Sequence, residues 1–279
     1  MQTQVDLRHP TRPWWTACCG LVGYGLLAAC ATLGPPSRDG LAGEWVQGAP
    51  FVHAVYRNRA MPEHGGPMAG APLHVYLDGD GTPWLDRQHV ATNPTPANPL
   101  VFGLLQADPA PAVYLGRPCH FTRDMDPACE PGVWTARRYS PAVIASLTAA
   151  LARARLGAPV VLIGHSGGGA LAMLLAARVP DVVGVVTIAG NLDVAGWTGA
   201  HAYSPLTGSL DPATEPVLAR RVHQLHLAGG ADVDVPAALL RAAVARQPGA
   251  QLLLIDSFDH VCCWQRVWPD VLAQIAAWR

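Results

Sequence analysis

Residues 164–168 read Gly-His-Ser-Gly-Gly. A compact apolar run, Pro159–Ile163, stands before them, and an Ala- and Leu-rich stretch, Gly168–Val179, follows. G-x-S-x-G between a buried strand and a helix is a setting in which serine acts as a nucleophile. The serine sits on a very sharp turn, and a glycine two residues to either side lets strand and helix pass closely. The hydroxyl of Ser166 is thereby lifted clear of its strand. The next backbone N–H, that of Gly167, opens the helix and points towards any oxyanion formed there.

A nucleophilic serine needs a base. His260 follows the last apolar run and precedes the closing helical pattern, in Asp256-Ser257-Phe258-Asp259-His260. Of the other histidines, His165 adjoins the serine and packs within its turn. His223 and His226 stand three apart in one strand and face opposite sides, which makes a poor metal pair. His9 lies in the leader. His53, His64, His74, His89, His120 and His201 precede the serine or fall outside the loop that would carry the base. The base in turn needs a carboxylate to fix its tautomer and stabilise its charged form. Asp232 and Asp234 lie in Gly229-Gly230-Ala231-Asp232-Val233-Asp234-Val235-Pro236, just after the run Val222–Leu227, and Asp193 follows the preceding run.

Serine, acid-bearing turn and terminal histidine in that order resemble the α/β-hydrolase superfamily, over about residues 51–279. The stretch G-x-x-D-x-x-V-P resembles the family's acid turn and puts the acid at Asp232, with Asp193 and Asp234 as rivals. The resemblance implies an α/β-hydrolase fold and a serine hydrolase that cleaves a carboxylic ester or thioester through an acyl-enzyme, with no metal or organic cofactor. It also implies a second oxyanion donor, the backbone N–H of Asp80, in Asp78-Gly79-Asp80-Gly81. Family members usually show His-Gly where this chain has Asp78-Gly79. A carboxylate beside an oxyanion is unfavourable unless turned away or paired, and Arg87 and Arg123 are the partners considered. An EF-hand is rejected, since further ligands and the terminal Glu are missing. The alternatives are an amidase, peptidase or acyltransferase on the same constellation, or a non-catalytic envelope lipoprotein on a hydrolase scaffold. The segments Gly190–Asp193, Ser204–Leu206 and Gly208–Leu210 are similar to those of uncharacterised bacterial hydrolases.

The elements that must hold these residues follow from alternation. Strand-like runs at Phe51–Arg57, Leu73–Leu77, Ala112–Leu115, Pro159–Ile163, Val182–Ile188, Val222–Leu227 and Leu252–Ile255 are interleaved with helical patterns. The helical patterns are Ser140–Leu156, Gly168–Val179, Pro236–Gln247 and Val267–Trp278. Short, wholly apolar strands between helices predict a mostly parallel sheet covered on both faces. Residues 190–215, rich in Gly, Pro and Thr, break the alternation and predict a small lid-like excursion. Trp84, Trp134, Trp197 and Trp264 fall near the loops of the site, either lining an acyl pocket or packing in the core.

Half of the 279 residues are apolar and 14% are charged, which excludes disorder and allows a sizeable core. The net charge of -1, without charge runs, argues against a nucleic-acid partner. All 19 Lys+Arg residues are Arg, which excludes Schiff-base and P-loop chemistry. Arg8 and Arg12 precede an apolar run, Trp14–Ala29, that ends in Leu27-Ala28-Ala29-Cys30 and resembles a bacterial lipobox. The resemblance implies a leader over 1–29, a lipid on Cys30 and a cell-envelope location, with a plain secretory signal or an uncleaved anchor as the alternatives. The absence of Asp after Cys30 leans towards the outer membrane. Residues 30–50 read as a tether, ahead of a domain at 51–279 whose partner is a small acyl substrate. Cys18 and Cys19 leave with the leader. Cys119, Cys129, Cys262 and Cys263 then form an even set for an oxidising compartment. The pairing Cys119–Cys129 is favoured, and cross-links between the two segments are its rival. A disulfide at Cys262 or Cys263 would pin the loop of His260.

Overall fold

The computed structural model describes residues 35, 37–62, 70–121 and 126–278. The leader, Cys18, Cys19, Cys30, His64 and Arg123 lie outside them. The chain runs β1 (Gly43–Gln47), β2 (Val52–Arg57), β3 (Leu73–Leu77), α1 (Leu100–Ala107), β4 (Ala112–Leu115), α2 (Pro131–Trp134) and α3 (Pro141–Ala154). It continues with β5 (Val160–His165), α4 (Gly167–Ala176), β6 (Val182–Ile188), α5 (Val194–Ala200), β7 (His223–Gly229), α6 (Ala237–Ala245), β8 (Gln251–Ile255) and α7 (Trp268–Ile275).

The strands form one eight-stranded sheet in the order β1-β2-β4-β3-β5-β6-β7-β8. β1 and β2 are antiparallel to their neighbours, and all other pairs are parallel. Parallel strands need crossovers, and the helices that make them cover both faces. Alternation along each strand divides the core. Val75, Val160 and Leu162 pack with α3, α4 and α6, while Tyr76, Val161 and Ile163 pack with α1 and α7. The inner strands β3 to β6 are largely apolar because neither face meets water.

Two local readings are corrected. Residues 43–47 belong to the sheet, where Glu44-Trp45-Val46-Gln47 pair with β2 in a hairpin closed by Gly48 N–H donating to Phe51 O at 2.8 Å. Flanking Gly and Pro hid this edge strand. Helix α1 escaped notice because Pro94, Pro96 and Pro99 crowd its approach, although a proline just before a helix suits its start. The excursion at 190–215 contains α5 and then a loop. Asp193 is the N-cap of α5 and accepts from Gly196 N–H at 2.7 Å.

Cys119 and Cys129 are disulfide-bonded with Cα atoms 5.5 Å apart. Cys262 and Cys263 are bonded to each other, so no cross-link joins the two segments. A bond between neighbours ties the His260 loop to nothing else, which corrects the expectation that a disulfide pins it.

Candidate active site

The carboxyl ends of the parallel strands carry every residue of the site. Ser166 follows β5 with φ 53 and ψ −121, a left-handed backbone that a β-carbon disfavours. Surrounding bonds hold it there. Ser166 N–H donates to Ile188 O at 2.9 Å, and Ser166 O accepts from Gly169 N–H at 2.9 Å and Asn191 N–H at 3.0 Å. Side chains at Gly164 or Gly168 would collide with backbone, of Gly168 and Leu77 respectively, so the spacing of the motif is steric.

His260 and Asp232 meet. His260 Nδ1–H donates to Asp232 Oδ2 at 2.9 Å, which leaves the Nε2 lone pair free. Asp232 is buried, and its Oδ1 accepts from Asp234 N–H at 2.9 Å and Val235 N–H at 2.8 Å. The turn itself thus orients the carboxylate. Of the rivals, Asp193 caps α5, whereas Asp234 brings a carboxylate oxygen within 4.8 Å of Asp232 and His260 but makes no hydrogen bond to His260, and its backbone carbonyl lies 2.7 Å from Trp197 Nε1 and 2.9 Å from His201 Nε2.

Ser166 and His260 line one cleft of about 1500 Å³, together with Asp78, Gly79 and Asp80. The Ser166 hydroxyl makes no hydrogen bond to His260 in this arrangement, and nucleophile–base bonds are commonly long until a substrate closes them. Gly167 opens α4, so its N–H has no intrahelical acceptor. The Asp80 N–H donates to no group among the described residues.

The Asp80 side chain is paired, though not with Arg87, and Arg123 lies outside the described residues. Arg87 lines the cleft, and the partners are Arg117 at 2.5 Å and Arg138 at 2.6 Å, with Tyr139 O–H donating at 2.8 Å. Burial alone would raise its pKa, but Arg138 and Arg117 hold the carboxyl well below the usual carboxylate range. The carboxylate lies against Gly167, where a side chain would displace it. Two guanidinium groups on one carboxylate leave a net positive charge in the cluster beside Gly167. Asp78 is also buried. Its Oδ1 accepts from Gly79 N–H at 2.9 Å, its Oδ2 is unpartnered, and burial pushes its pKa up to about 7.

His165 does more than pack. Its Nε2–H donates to His260 O at 2.8 Å, and the two rings lie 4.9 Å apart. Burial, then the nearby His260, lowers its pKa to about 4, so it is neutral at pH 7. Trp264 Nε1–H reaches the same carbonyl at 3.2 Å from the core. Trp134 is likewise core, whereas Trp84 and Trp197 line the cleft. His226 is buried against Thr187, with 2.8 Å between Nδ1 and the hydroxyl oxygen, and His223 stacks on Trp278.

Comparison with solved structures decides the architecture. A serine hydrolase homologue from Coxiella burnetii superposes with TM-score 0.54 at 13% identity, over 84% of this chain and 95% of that one. The chain has the α/β-hydrolase fold. An esterase from Pyrococcus furiosus matches this fold with TM-score 0.57 at 12% identity, over 88% of this chain and 97% of that one. A serine hydrolase involved in carbazole degradation matches with TM-score 0.56 at 14% identity, over 85% and 99% of the two chains. No protein-family model matches the sequence, and no curated protein does. In this α/β-hydrolase fold the elbow, the acid turn and the histidine loop occupy the ends of β5, β7 and β8.

Proposed function

We propose that the protein is a serine hydrolase acting on a carboxylic ester or thioester, with Ser166 as nucleophile, His260 as base and Asp232 as its orienting acid. The observation that carries this reading is the 2.9 Å bond between His260 Nδ1 and Asp232 Oδ2, in a cleft that also holds Ser166 on its turn. His260 Nε2 takes the hydroxyl proton as Ser166 Oγ attacks the acyl carbon. The N–H groups of Gly167 and Asp80 hold the resulting oxyanion, beside the buried positive excess of Arg117 and Arg138. Collapse breaks the bond to the leaving oxygen or sulfur, which receives the proton from His260. Water then gives a proton to His260 and attacks the acyl-enzyme. Ser166 leaves with that proton, and the acid is released.

The same reading includes the address. A lipid on Cys30 would place the mature protein at the envelope membrane, in keeping with the cysteine usage. Radiolabelled palmitate would enter the wild type, and it would be absent from Cys30→Ala.

Turnover of a short p-nitrophenyl ester tests the catalytic reading. Ser166→Ala should stay folded and lose essentially all activity. Persistent turnover in that variant would contradict it.

A further inference from the structure

Among the described residues eight large apolar side chains are exposed; Trp84, Tyr203 and Val261 line the cleft, and Leu85 and Val233 stand next in the chain to its lining residues Trp84 and Asp234. These five sit on the excursions after β3, β6, β7 and β8. Those strands are parallel, so the loops emerge at one edge of the sheet. Leu156 and Val217 lie in connections that enter β5 and β7 from the opposite edge, and Leu253 lies within β8. Leu85 and Val233 are 70% and 78% exposed and are not part of the cleft wall. They therefore serve nothing held inside it. Apolar exposure concentrated around a site marks a surface that meets an apolar partner.

The chain itself indicates which partner. Arg38 lines the cleft, donates to the carbonyls of Pro96 and Ala97, and lies over the rings of Phe102 and Phe121 at 5.7 and 5.6 Å. Cys30, the candidate lipid-bearing residue, stands only eight positions earlier. Eight residues span at most about 28 Å. A lipid on Cys30 would keep the cleft within that distance of the bilayer. Besides Asp78 and the paired Asp80 and Arg138, the charges on the cleft wall are Asp39, Asp86, Asp234, Arg38 and Arg87, mixed in sign, with none of the clustered Lys/Arg that selects anionic headgroups.

We propose that the rim formed by Trp84, Leu85, Tyr203, Val233 and Val261 docks on a zwitterionic lipid bilayer, so that the acyl substrate enters the cleft from the membrane. This rests on the hydrolase and lipid-anchor readings above.

The full chain and its Leu85→Ser/Val233→Ser variant, each reconstituted in phosphatidylcholine vesicles, test it. Hydrogen exchange at residues 201–204 and 261–263 should be at least about fivefold slower in the wild type than in the variant. The variant should keep p-nitrophenyl acetate turnover within about twofold and lose about tenfold or more on a diacylglycerol carried in the bilayer. Leu85→Trp, which adds apolar area, should move both readouts the other way. Equal exchange in the two proteins, or equal losses on soluble and bilayer esters, would overturn the proposal. Loop protection that rises with protein concentration, whatever the lipid content, would assign the face to a second copy of the chain and also overturn it. Exchange is read equally well in Ser166→Ala, so an inactive enzyme would sink the catalytic reading and leave the docking measured on its own.

Discussion

His165 Nε2 lies 2.8 Å from the carbonyl oxygen of His260, so the residue beside the candidate nucleophile holds the loop of the candidate base. The vicinal disulfide cannot do this, since it joins neighbours. His165→Phe keeps a ring in place and removes the donor. It should lower kcat by about tenfold to a hundredfold with little change in KM, because a small misplacement of the base is costly. His165→Gln, which restores an N–H near the same position, should recover much of the loss. Steady-state kinetics on a soluble ester would show it.

Asp232 and Asp193 separate by role. Asp232→Asn should lower kcat about a thousandfold or more, as the amide favours the wrong imidazole tautomer. Asp193→Ala should leave kcat near wild type and cost about 1 kcal/mol of stability through the lost cap of α5. Denaturant melts beside ester assays would distinguish the two. A kcat collapse in Asp193→Ala would move the acid away from Asp232.

Sequence reading reached the parts of this site that repeat local rules. Ser166 and Gly167 were legible because steric crowding at an elbow dictates glycine spacing, and His260 because the last strand delivers it. Asp80 was read only for its backbone N–H. Its partners Arg117, Arg138 and Tyr139 come from segments remote in sequence, and nothing local marks a buried arginine. The same limit hid the contact from His165 to His260, which spans 95 positions. Strands β2 to β8 stood out through apolar runs, whereas β1 lacked that signal because it is an edge strand with polar residues facing water.

The ion cluster beside Gly167 should be costly to break. Asp80→Ala leaves Arg117 and Arg138 buried without their shared carboxylate, and should destabilise the fold by about 3–5 kcal/mol. Asp80→Asn keeps an acceptor for one of the two guanidinium groups and should cost less. Urea unfolding of the two variants would rank them, and equal stability for Asp80→Ala and wild type would contradict the pairing.

Asp78 makes stability depend on pH. Burial holds its carboxyl at about 7 against an ordinary 3.8, so the folded state keeps a proton that the unfolded chain releases. Its favourable contribution is complete below about pH 4 and is lost as pH rises through about 7. Asp78→Asn removes that titration. The melting temperature of the variant relative to wild type should rise between pH 5 and pH 8, by roughly 5–10 °C. A difference that is flat across this range would show that Asp78 does not titrate there.

Labelling with a fluorophosphonate tests the central claim most directly, because only an activated serine reacts with it at neutral pH. The intact protein should gain one phosphonyl adduct, fragmentation should place it on Ser166, and His260→Ala should react far more slowly. An unlabelled Ser166 in folded wild-type protein, or an adduct on another residue that survives in Ser166→Ala, would contradict the account.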